Sequence, residues 1–104
     1  MNLDDLASSA TAGGEPPQGL NDGLRAMWLA RAGRWDEAHD LCQQIEGPHG
    51  AWVHAYLHQL EGDLGNAGYW YSIAGKPQPP AGKSLQEEWL TMVEAMLQEC
   101  KRDS

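Results

Sequence analysis

At 104 residues the chain supports one domain, and its formal charge of −8 excludes the cationic surface on which nucleic-acid affinity rests. Mean hydropathy is −0.57 and no apolar run approaches the roughly 20 residues that cross a bilayer, so no membrane span is expected. Cys42 and Cys100 lack a CxxC spacing, which leaves neither a disulfide framework nor a cysteine zinc site, and both are expected to be reduced core thiols.

The opening MNLDD lacks the basic and apolar regions of an export signal, so a cytoplasmic location is the expectation. Residues 1 to 19 carry only Leu3 and Leu6 as large apolar side chains, too little burial to offset ordering at about 1 to 2 kcal/mol per residue. They are expected to form a flexible tail with at most a short helical turn over residues 3 to 9, and the folded domain is expected over 20 to 104.

Asn21 or Asp22 offers an N-cap to a first helix whose stripe, Leu24, Met27, Trp28 and Leu29, ends at Gly33. Asp36 and Glu37 suit the first turn of a second helix, where the helix dipole favours anions; Trp35, Ala38, Leu41, Cys42 and Ile45 continue it to Gly47-Pro48. A third helix, from Gly50 or Ala51 to Glu61, is apolar nearly all round and should be the most enclosed. A fourth runs from about Asp63 to Gly75, and the proline-rich Lys76 to Lys83 stretch makes a loop. Ser84 and Glu87 form a capping box for a last amphipathic helix along Leu85, Trp89, Met92, Val93, Met96, Leu97 and Cys100, ending near residue 101.

Gly33-Arg34-Trp35-Asp36-Glu37-Ala38 returns as Gly62-Asp63-Leu64-Gly65-Asn66-Ala67, 29 residues later. A period near 30 built of helix, turn and helix marks units that bury their apolar faces by stacking. Aligned on these glycines, with Ala26, Leu29, Cys42 and Pro48 in the first unit and Ala55, Leu64, Tyr71, Ala74 and Pro77 in the second, the chain resembles the tetratricopeptide repeat family. Its period is shorter than that family's roughly 34 residues, and Gly65-Asn66 replaces the Asp-Glu pair. The stretch from Trp52 to Pro77 is also similar to small, uncharacterised helical-repeat-like proteins. The resemblance implies an all-α fold of two stacked helical hairpins with a C-terminal capping helix, and no activity.

In tetratricopeptide repeats the first helix of each unit lines a groove, which here implies Met27, Ala30, Arg31, Trp52, Tyr56 and Gln59. Aromatic, Met and Arg side chains have the composition of binding hot spots. The last helix can equally fold over this groove and bury it. The expected function is a non-enzymatic protein- or peptide-interaction module without a cofactor. No Lys or Arg occurs in residues 35 to 75, so a basic partner is favoured.

The alternative rests on the four histidines, His39, His49, His54 and His58. His54, His58 and Glu61 share a helix face at i, i+4, i+7, a donor set for zinc, iron or nickel or for a small ligand near Tyr69 or Tyr71. Packed core histidines are the competing reading. No serine has a His and Asp at recognisable spacing, and the glycines lack the context of a phosphate loop.

Overall fold

Six helices and no strand are formed by the described residues, 3 to 80 and 84 to 102, of a computed structural model in which side chains are described through Glu99. They are α1 (Leu3–Ala12), α2 (Asp22–Arg31), α3 (Trp35–Cys42), α4 (Pro48–Leu60), α5 (Leu64–Ala74) and α6 (Leu85–Arg102). None is long and apolar enough to cross a membrane.

The repeated sequence makes the same turn twice. Gly33 and Gly62 follow α2 and α4 at φ 83° and 88°, a region that side-chain-bearing residues rarely adopt. The next amide then reaches back five residues, Arg34 N–H to the Leu29 carbonyl and Asp63 N–H to the His58 carbonyl, both at 2.9 Å. This Schellman closure satisfies the last helical carbonyls and turns the chain so that α3 packs on α2 and α5 on α4. The hairpins meet through α2 and α3 against α4.

Asn21 is the N-cap of α2, its side chain accepting from Leu24 N–H at 2.9 Å. The α3 to α4 boundary departs from expectation. Helix α3 ends at Cys42, and α4 begins at Pro48 rather than at Gly50 or Ala51. Proline at the first helical position starts a helix, because that N–H needs no partner and its φ is already helical. Gly50 is forced by close approach: a Cβ there would overlap the Ile45 carbonyl oxygen and lie 3.0 Å from that of Cys42. As expected, α4 is the most enclosed element, buried without interruption from Gly50 to Gln59.

Helix α1 corrects the expectation of a tail over residues 1 to 19. Leu6 is 0% and Ala10 1% exposed, α1 packs on α2 and α6, and the Trp28 indole N–H donates to Ser9 Oγ at 3.2 Å. The segment cannot order itself, but alanines at helical spacing to Leu3 and Leu6 let it lie close on a surface the other helices supply. Truncating Leu6 to Ala should therefore cost about 2 to 5 kcal/mol, as for other fully buried leucines, and lower the thermal midpoint. An unchanged midpoint would return the segment to a dispensable tail.

The last helix packs over the groove-facing residues, one of its two expected seats. Trp89, Met92, Val93 and Met96 are buried, and α6 lies on α2 and α4, the first helices of the two hairpins, and also touches α1. It thus covers the inner face of the hairpins and leaves α5 at an edge, its backbone close to that of α4 alone among the helices and its Tyr71 side chain reaching α6. The loop expected from Lys76 to Lys83 has no regular structure through Pro80; residues 81 to 83, like the side chain of Cys100, lie outside the described residues.

Candidate functional site

The residues expected to line a groove are brought together, under α6. Met27 is fully buried and its carbonyl accepts the Trp89 indole N–H at 2.7 Å. The Arg31 guanidinium lies 4.6 Å above the Trp89 ring, within cation–π range. Trp52, Tyr56 and Gln59 are buried, Gln59 donating to the Pro79 carbonyl at 3.3 Å and accepting from Gln78 at 2.9 Å. Of the two readings, open groove or groove closed by the last helix, the arrangement is the closed one.

Between α2, α4, α5 and α6 lies a buried polar layer. Tyr71 donates to Glu88 Oε2 at 2.9 Å, and Glu88 is buried though carboxylates rarely are. Burial pushes the Tyr56 phenol up to about 12, with Arg31 opposing and Glu88 adding to the rise. Burial and then Glu88 raise Tyr71 further. Arg31 Nε and Trp52 Nε1 are buried donors without a hydrogen-bond partner. A cleft of about 460 Å³ opens beside this layer between Trp52, Lys76, Pro79, Glu88 and Thr91, with the Lys76 ammonium 4.5 Å above the Trp52 ring.

The second arrangement joins the hairpins. His39 on α3 faces His54 on α4, Nε2 to Nε2 at 3.1 Å, and His58 lies one turn beyond His54. One ring nitrogen from each of the three lies within 4.8 Å of the others. Aromatic walls hold the rings: Trp35 stacks on His39 at 4.8 Å and Trp70 on His54 at 4.0 Å between centroids. Trp35 is fixed in turn by donating to the Leu57 carbonyl at 2.9 Å. Burial, then the neighbouring His39 and His58, lowers His54 from 6.5 to about 4, so its ring is neutral near pH 7.

Glu61 lies where the helical spacing put it, bonded through Oε1 to His58 Nδ1 at 2.7 Å. His39 was counted among the four histidines but left out of the expected donor set, because only the stacking of α3 on α4 brings it to His54. His49 stands apart, paired with Glu99 of α6. Tyr69 points away from the cluster's interior, being 55% exposed, and Tyr71 belongs to the polar layer.

The third feature is the outer face of α5. Tyr69 and Ile73, four residues apart, are exposed on this face, the latter at 51%, whereas Leu64 is exposed at the first turn on the side of Ala67 and Tyr71, and Leu60 at the end of α4. From Leu64 to Gly75 the chain carries no charged residue, in a protein of net charge −8. Comparisons with protein-family models, curated proteins and solved structures find no match for this chain.

Proposed function

We propose that the protein is a non-enzymatic interaction module, a short tetratricopeptide-like stack that binds its partner on the outer face of α5. One observation carries this reading. An edge helix exposes Tyr69 and Ile73 on its outer face, along an uncharged stretch of an otherwise acidic chain. In a stacked-hairpin architecture such a face is where the next unit would pack, and among the described residues no other helix packs on it. Clustered exposed apolar side chains mark interaction sites more than scattered ones do.

The partner that fits is an apolar helix face flanked by basic side chains, because Glu61 and Asp63 stand exposed at the N-terminal end of α5. Helix α6 lies on α2 and α4, so recognition on their inner faces is not part of the proposal.

A photo-crosslinking side chain at Tyr69 or Ile73 in native-host cells tests it. A discrete heterologous adduct is expected from either position, absent when the same side chain replaces Glu87 on the exposed side of α6, and the Tyr69 adduct is lost when Ile73→Glu is added. Adducts of equal yield from position 87, or none at 69 and 73, overturn the reading. A homodimeric adduct replaces the heterologous partner with a second copy.

A further inference from the structure

We propose that His39, His54 and His58 form a zinc site, with Glu61 orienting His58 from outside the coordination shell. The spacing is the first reason. Two nitrogens bonded to one tetrahedral zinc at about 2.0 to 2.1 Å lie roughly 3.3 Å apart. His39 Nε2 and His54 Nε2 are 3.1 Å apart already, and the donor atoms of all three rings fall within 4.8 Å. A modest rotation of His58 closes the set.

The second reason is hydrogen bonding. In the neutral ring of His58, Nδ1–H donates to Glu61 Oε1 at 2.7 Å, which leaves the Nε2 lone pair free. A carboxylate behind a ligating imidazole is the usual means of fixing its tautomer and raising its basicity. Glu61 therefore acts through His58 and does not fill the ligand position that helical spacing alone suggested. The competing donor group, His58 with Glu61 and Asp63, relies on two exposed carboxylates, one of them engaged by His58 itself.

The third reason is confinement. His54 and His58 are each 8% exposed and His39 is half-buried, with Trp35 stacked on His39 and Trp70 on His54. A hollow of about 320 Å³ lined by His54, Trp70, Cys42 and Ile73 reaches the cluster and gives an ion a way in. Cys42 is no competitor: its Sγ is turned to the His39 carbonyl, to which it donates at 3.1 Å. Neutral imidazoles without a thiolate suit zinc, and suit cobalt as its spectroscopic substitute. Three protein ligands leave one tetrahedral position for water.

Zinc chloride titrated into the chelator-treated full-length chain tests the site. One equivalent should bind and raise the melting temperature, and Co²⁺ should give the visible absorption of a four-coordinate complex at the same stoichiometry. His39→Gln, chosen because His39 is the least buried of the three, should fold and weaken zinc by at least tenfold. Glu61→Gln should weaken it by about 10- to 100-fold. His49→Gln serves as the control and should leave both affinity and stoichiometry unchanged. Absence of one-to-one binding, equal affinity in His39→Gln, or loss in His49→Gln overturns the proposal; undiminished affinity in Glu61→Gln overturns the role given to Glu61.

Discussion

Replacing Trp89 by Ala should unfold most of the protein's margin of stability, with a loss of about 3 to 5 kcal/mol in urea titrations. Trp89 is 1% exposed on α6, the helix that covers the inner face of both hairpins. Its removal opens a cavity between α6 and α2, takes the surface beneath the Arg31 guanidinium, and leaves the Met27 carbonyl without its donor. Small domains have net stabilities of roughly 5 to 15 kcal/mol, so one side chain decides a large share. Trp89→Phe separates the causes. It keeps most of the apolar volume and loses the N–H···O bond alone, for which about 1 kcal/mol is expected. A Trp89→Ala loss below 1 kcal/mol would mean that α6 is not integral to the fold.

The same tryptophan shows what the sequence could and could not disclose. Five Trp and no Phe give the chain rings that carry a polar edge, and Trp28, Trp35 and Trp89 turn that edge inward. Each donates to an acceptor on another helix, Ser9 of α1, Leu57 of α4 or Met27 of α2. The polar handle is spent on joining helices. Periodicity reports which side of a helix is apolar and cannot report which partner it meets.

The elements that local rules determine were legible. Gly33 and Gly62 need positive φ, Asn21 is a capping side chain, and the all-round apolar pattern of α4 demands enclosure. Those that depend on a surface made elsewhere were not. Helix α1 folds on α2 and α6, which its own composition does not show; for α6 the sequence left an open and a covered inner face as equal readings, and only packing decides between them. The candidate metal set follows the same division. His54, His58 and Glu61 are one helix turn apart and could be grouped from spacing, whereas His39 joins them only once the hairpins stack. Glu88 had a visible signal: it lies three residues after Leu85 and four before Met92, inside the apolar stripe of α6, where a carboxylate must find buried partners.

The buried layer and Cys42 together predict alkaline unfolding before pH 12. Burial, with a smaller contribution from Asp40, raises the Cys42 thiol from 9.0 to about 12, and burial raises the Tyr56 phenol from 10.0 to about 12. Tyr71 moves in the same direction. In each case the neutral form is the one the fold accommodates. Below pH 9 native and unfolded chains hold these protons alike, and the groups leave stability independent of pH. Above it the unfolded chain releases protons that the native state retains, so unfolding is favoured increasingly as pH rises toward the native values. At 1.36 kcal/mol per unit, shifts of this size cost the native state roughly several kcal/mol by pH 12, before Tyr71 is counted. That cost is comparable to the net stability of a small domain. Far-ultraviolet circular dichroism should therefore show a cooperative loss of helix between pH 10 and 12, with tyrosinate absorbance rising in the same transition. Cys42→Ala removes the thiol's share and should flatten the decline that begins near pH 9. Phenols that ionise gradually while the helices persist beyond pH 12 would show that Tyr56 and Tyr71 are not held in a dry layer.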